Sequence, residues 1–160
     1  MHKVYLLIGG NIGNRKAYLL EAKSFLSDIG NIVQESSIYE TAAWGKVDQQ
    51  AFLNQAVLLI TTLSANDLLD SILQIEEKMG RKRLEHYGPR TIDIDILLFD
   101  DMVLNSNQLH IPHLAMAHRK FTLVPLAEIA PSVMHPVLQK SIQKLFEDCT
   151  DTLAVELYIH

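Results

Sequence analysis

Between Thr91 and Phe99 the chain alternates, with Ile92, Ile94, Ile96 and Leu98 on one side and Asp93, Asp95, Leu97 and Phe99 on the other. A period of two sustained over nine residues, most of them β-branched or large and apolar, specifies a strand and excludes a helix. The strand closes an ordered series. Val4 to Ile8 is an apolar run that leads into Gly9-Gly10-Asn11-Ile12-Gly13, and reads as a buried strand followed by a tight turn. Tyr18, Leu19, Ala22, Phe25, Leu26 and Ile29 recur at helical spacing, with Gly30-Asn31 as the stop. Ile32 to Tyr39 reads as a strand, weakened by Glu35-Ser36-Ser37, and Phe52 to Thr62 as a stronger one. Ser64-Ala65-Asn66-Asp67 caps a second helix whose Leu68, Leu69, Ile72, Leu73, Glu76 and Met79 share a stripe, and Gly80 ends it.

The order β-α-β-β-α-β is the split βαβ arrangement of ferredoxin-like domains. The expected class is therefore α+β, a mostly antiparallel sheet with helices on one face. A C-terminal extension of short elements follows, punctuated by Pro112, Pro125, Pro131 and Pro136. No repeat or Pro/Ser-rich linker divides residues 1–160, which read as a single domain. With 48% hydrophobic and 21% charged residues, the chain can build a core and is not a disordered segment. A net charge of −5 argues against nucleic acid as a partner. Cys149, the single cysteine, excludes an internal disulfide and a cysteine-only zinc site. The start has no signal-peptide layout and no apolar run is long enough for a membrane span, so a cytoplasmic protein without a membrane partner is expected.

Asp93 and Asp95, two apart on a strand, leave the same face with Cα atoms roughly 6.6 Å apart. Their carboxylates can converge on one or two hard cations, or they can simply lie on a wet sheet face. The preceding segment bears on that choice. Arg81, Lys82, Arg83 and Arg90 stand against one acid, Glu85, giving a local charge of +3 between Gly80 and Arg90. Arginine forks suit phosphate oxygens, and Mg²⁺ binds through one or two carboxylates plus substrate phosphates. Surface ion pairs with Glu76, Glu77 or Glu85 would account for the same arginines. The chain has no P-loop and no G-x-G-x-x-G, so a phosphate cradle of either kind is excluded.

Tyr87-Gly88-Pro89-Arg90-Thr91-Ile92-Asp93-Ile94-Asp95-Ile96 closely resembles the signature of the 6-hydroxymethyl-7,8-dihydropterin pyrophosphokinases of folate biosynthesis. The resemblance spans nearly the whole chain. It takes in Gly9-Gly10-Asn11, Phe52-Leu53-Asn54, Glu76 with Gly80-Arg81-Lys82-Arg83, Ile111-Pro112-His113, and Arg119-Lys120-Phe121 leading into Pro125-Leu126-Ala127-Glu128-Ile129-Ala130-Pro131. It implies a ferredoxin-like α+β enzyme that moves a pyrophosphoryl group from ATP to the pterin hydroxymethyl oxygen and releases AMP. Asp93 and Asp95 would then hold two Mg²⁺ ions on the triphosphate. Arg81, Arg83, Arg90, His113 and Arg119 would contact the triphosphate or close over it, with Glu76 and Ile96 also on the ATP side. Arg81, Arg83 and Arg90 would join the two aspartates as the catalytic set. For the pterin, Phe52 and Phe121 match the aromatic pair around the ring, and Asn54 matches the amide that reads its edge. The segment Thr41-Ala42-Ala43-Trp44 and Asp93 complete that side. A monomer is expected.

The chain departs from the family pattern in places. Thr41 is not followed by Pro-Pro, Trp44 replaces a smaller apolar residue, Tyr87 stands where tryptophan is common, and Leu114 replaces a tyrosine. The stretch from Arg83 to Arg90 is one residue short. Segments Ala42–Gln50 and Arg81–Pro89 are expected to close over the substrates. Two other classes compete with the kinase. A non-catalytic ligand-binding module has no use for two aspartates beside a cationic loop. A metal protein built on His110, His113 and His118 matches no strong zinc spacing.

Overall fold

The computed structural model describes residues 1–42, 50–80 and 91–159. Strand β1 (His2–Gly10) is followed by helix α1 (Arg15–Leu26), β2 (Asn31–Glu35), β3 (Tyr39–Thr41), β4 (Phe52–Thr61), α2 (Ala65–Lys78) and β5 (Asp93–Phe99). A small hairpin of β6 (Leu104–Asn105) and β7 (His110–Ile111), helices α3 (Lys120–Ile129) and α4 (Ile142–Asp148), and strand β8 (Val155–Leu157) complete the order. The main sheet runs β5-β1-β4-β3-β8, with β2 also on β4, and every pairing is antiparallel.

Local chemistry explains the elements. Asn14 Oδ1 accepts the Ala17 N–H at 3.1 Å and Ser64 Oγ accepts that of Asp67 at 3.2 Å, so each core helix starts on a side-chain cap. The stretch expected as one strand, Ile32 to Tyr39, is broken at Ser36. There the hydroxyl accepts the Ala56 N–H at 2.9 Å and the serine carbonyl accepts from Gln55 Nε2 at 2.7 Å. The Ser36 N–H still donates to the Ala56 carbonyl at 2.8 Å, so a side chain replaces one of the two ladder bonds at this step, and β2 and β3 become two segments along the same edge of β4.

Alternation along β1 divides the interior. Val4, Leu6 and Ile8 pack with Leu19, Ala22 and Leu26 of α1 and Leu68, Ile72 and Ile75 of α2. Tyr5 and Leu7 pack with Leu123 and Leu126 of α3 and Ile142 and Leu145 of α4. The two helices of the core thus share one face, as the β-α-β-β-α-β pattern predicts. The C-terminal extension lays two further helices on the other face, leaving the sheet covered on both sides.

The alternation of β5 does not run unbroken to its end. Tyr5 pairs with Leu98 and Leu6 with Ile96, so Leu97 is an extra residue in a β-bulge. Beyond the bulge the sides exchange. Phe99 joins Ile94 and Ile96 in the α1/α2 core, while Leu97 and Leu98 both go to the other. Asp93 and Asp95 therefore do not share their face with Phe99. Substituting Phe99→Ala empties a fully buried site and is expected to cost about 3–5 kcal/mol in chemical denaturation.

Candidate active site

The floor of the site is set by strand register. Along β1, Leu7 opposes Asp95 and Gly9 opposes Asp93 on one side; on the other, Gly9 opposes Asn54. Phe52 of β4 in turn opposes Thr41 of β3. Directly opposed residues present their side chains on one face, so Asp93, Asp95, Asn54, Phe52 and Thr41 share the face that α3 and α4 cover further along. Arg119 and Phe121, at the start of α3, come over this floor. His113 follows β7, its N–H held by the Leu97 carbonyl at 3.0 Å. All eight line one cleft of about 780 Å³, together with Ala42 and, from α2, Glu76. That size suits a cofactor or nucleotide. The cleft passes around β5, the outermost strand, because Ile72 and Leu73 of α2 line it as well.

Asn54 is buried in an apolar strand, and Gly9 makes its position possible: a Cβ on Gly9 would collide with the Asn54 amide oxygen. Gly9 and Gly10 belong to β1 and not to the turn, which begins at Asn11. The glycine is a space requirement of the cleft. Thr41 is also buried, and its hydroxyl has no hydrogen-bond partner among the described residues. Leaving such a group unpaired costs about 1–3 kcal/mol, which a ligand in the cleft would recover.

Glu76 is 3% exposed and accepts the Ile94 N–H at 2.8 Å. The last turn of α2 thereby holds β5 at the residue between the two aspartates. His113 Nδ1 accepts the Ala115 N–H at 3.1 Å, so the neutral ring carries its proton on Nε2. Burial, and then the charge of Arg119, push the His113 pKa below its ordinary 6.5. The Arg119 guanidinium lies over the Phe121 ring, 5.6 Å from its centroid, and links a cation to an aromatic face.

Ile96 stands apart from the other candidates: its side chain is buried in the α1/α2 core and does not line the cleft. Ala43, Trp44, Arg81, Arg83, Tyr87 and Arg90 lie outside the described residues, as do most of the two segments expected to close. Leu7, Asp70, Asn107 and Gln108 line the cleft without having been singled out in the sequence. Asn107 and Gln108 sit between β6 and β7, where the polar run 105–108 announces a turn but not that it folds back onto β5. Among the described residues no group of three or more His, Cys, Asp or Glu side chains could hold a metal, so His110, His113 and His118 form no centre.

Known proteins carry the same pattern. The family model for 7,8-dihydro-6-hydroxymethylpterin-pyrophosphokinase matches residues 5–131. The 2-amino-4-hydroxy-6-hydroxymethyldihydropteridine pyrophosphokinase of Aquifex aeolicus is 40% identical over 144 residues, 90% of either chain. The enzyme of the same name from Bacillus subtilis is 44% identical over 131 residues, covering 81% of this chain and 78% of that one. Among solved structures, wild-type HPPK-DHPS of Plasmodium falciparum with pteroate superposes with a TM-score of 0.73 at 20% identity. That match covers 91% of this chain and 42% of the longer one, and supports the ferredoxin-like fold. Motif order, sheet topology and these alignments agree: the chain belongs to the 7,8-dihydro-6-hydroxymethylpterin-pyrophosphokinase family.

Proposed function

We propose that this protein transfers the pyrophosphoryl group of ATP to the hydroxymethyl oxygen of 6-hydroxymethyl-7,8-dihydropterin and releases AMP. The observation that carries the reading is the shared cleft. A carboxylate pair, a cation and an imidazole N–H donor meet there with two aromatic rings, a buried amide and a hydroxyl that has no partner among the described residues. The first group suits a triphosphate and the second a flat, hydrogen-bonding heterocycle. The pterin oxygen attacks the β-phosphorus, its hydroxyl proton is lost, and the bond from the β-phosphorus to the AMP oxygen breaks.

Phe52 and Phe121 flank the pterin ring, while the Asn54 amide, able to donate and accept, reads the mixed edge. Thr41 and the main chain at Ala42 and Ala43, beside Trp44, complete that edge. Arg119 and the His113 Nε2–H face the triphosphate, with Arg81, Arg83 and Arg90 as the further cations that stabilise charge on its non-bridging oxygens. Glu76 keeps Asp93 and Asp95 in place through Ile94, and Ile96 can serve the nucleotide only through its main chain. The donor set of Asp93 and Asp95 is two hard carboxylates on one strand face, which fits Mg²⁺ arriving with nucleotide phosphates and needing few protein ligands. These residues would hold two Mg²⁺ ions, which supply charge neutralisation and orientation of the triphosphate.

Residues 1–160 act in this reading as one pyrophosphokinase domain, a cytoplasmic monomer. No helix among the described residues is long and apolar enough to cross a membrane.

Mass analysis of the protein with ATP, Mg²⁺ and the dihydropterin should show AMP and a pterin product heavier by two phosphates. ADP, or no turnover, refutes the reading. Asp93→Ala and Asp95→Ala should each lower kcat by at least about a hundredfold with little change in thermal melting. Near-normal rates would remove the metal role from that residue. Below pH 6.5 His113 is expected to resist protonation in the free protein. A bound triphosphate would raise its pKa, because a nearby anion favours the imidazolium. An NMR titration with and without a non-hydrolysable ATP analogue checks this, and an unchanged midpoint takes His113 out of the phosphate site.

A further inference from the structure

We propose that Arg15 is a positioning residue for the pterin slot, acting as a clasp across the two strand ends that carry the slot walls. The inference rests on the pyrophosphokinase reading of the cleft. Arg15 is the first residue of α1 and its side chain is 13% exposed, yet it does not line the cleft. Its Nη1 donates to the Glu40 carboxylate at 2.6 Å and to the Ala51 carbonyl at 2.8 Å. Glu40 immediately precedes Thr41, and Ala51 immediately precedes Phe52. Thr41 and Phe52 are the opposed pair at the open end of the β3–β4 ladder. One guanidinium thus bonds the neighbour of each wall residue.

The clasp is buttressed from two sides. Asn11 Nδ2 donates to the Gln50 carbonyl at 3.0 Å, fixing the residue before Ala51. The guanidinium lies over the Tyr158 ring, 5.5 Å from its centroid, and the Tyr158 N–H is held by the Ile38 carbonyl at 2.9 Å. Tyr158 follows β8, which pairs with β3, and lies beyond residues 5–131, the span that the family model matches. The C-terminal segment of this chain therefore reaches the outer wall of the slot.

A tie is needed there. Strand β3 has only three residues, too few to hold a ladder end rigid by its own hydrogen bonds. A charge-assisted bond that closes the end stabilises the spacing of Thr41 and Phe52, which sets the width available to a flat ring. The tie touches neither Asp93 nor Asp95, so its loss should weaken pterin binding and spare the groups that act on phosphorus.

Steady-state kinetics of Arg15→Ala should show the pterin KM raised about tenfold, with kcat and the ATP KM within about twofold of the parent. Arg15→Lys, which can still reach one acceptor, should recover part of the loss, and Tyr158→Ala should raise the pterin KM about two- to threefold. Lys23→Ala is the control: Lys23 ties the same helix to Glu35 of β2 at 3.3 Å, away from the slot, and should leave the pterin KM unchanged. Hydrogen exchange without substrate should be about tenfold faster in Arg15→Ala at residues 39–41 and 52–54.

A pterin KM that rises no more than in the Lys23→Ala control overturns the proposal. So does an equal rise for both substrates accompanied by early melting. If Arg15→Ala does not fold, Glu40→Gln decides, with a several-fold rise in pterin KM expected and no rise overturning the clasp. Failure of the parent protein to form AMP would defeat the pyrophosphokinase reading instead, and the exchange experiment would still test the clasp.

Discussion

Strand β1 is hydrogen-bonded to β5 on one side and to β4 on the other, and the placement of Asp93, Asp95 and Asn54 on the cleft floor follows from those two registers. Side chains alternate with a period of two. A one-residue slip of β5 on β1 would turn Asp93 and Asp95 into the α1/α2 core and bring Ile94 and Ile96 to the cleft. The apolar side chains of β5 thus guard the position of the charged ones, since burying two unpaired carboxylates is far costlier than any gain in strand pairing. Glu76 reinforces the register from α2 through the Ile94 amide. On the β4 side Gly9 plays the complementary part, because its missing Cβ is where the Asn54 side chain rests.

The cleft holds polar groups that a stability-driven core would exclude. Asn54, Thr41 and Glu76 are all buried. The Thr41 hydroxyl, without a partner among the described residues, makes sense beside a ligand with complementary edges. The same logic applies to charge. A net charge of −5 would by itself discourage a polyanion, yet Asp93 and Asp95 line the cleft beside Arg119 and His113, where hard cations would let them act for the anion. Holding His113 neutral keeps an N–H donor at hand without adding a buried charge to the free enzyme.

The C-terminal extension completes the molecule in two places. Helices α3 and α4 cover the face of the sheet that the core helices leave open, and the start of α3 delivers Arg119 and Phe121 over the floor. Further on, β8 extends the sheet edge at β3 and places Tyr158 against Arg15. Tyr39 and Ser37, beside this edge, are both bonded to Glu128 of α3. The β3 edge of the cleft is therefore braced from α1, from α3 and from the C-terminal segment.

Local pattern was enough to determine the order of the core elements, the two-faced strand from Asp93, the cap at Ser64, and which residues deserved attention. Each is written in spacing of 2.0 or 3.6 residues or in short-range side-chain bonds. Of the candidates that the structure describes, all but Ile96 line one cleft, because a motif keeps residue types that local geometry then presents together. What depended on distant partners was not legible. The bulge at Leu97 arises from how β5 meets β1 and sends Phe99 to the opposite core. The break at Ser36 is set by Ala56 and Gln55, about twenty positions away in the chain. Gly9 reads as turn punctuation until Asn54 is placed beside it, and no local spacing relates Arg15 to Glu40 and Ala51, which β3 and β4 bring within its reach. Periodicity decides what each segment can become; only packing decides which side chains meet, since those contacts join residues that no local spacing relates.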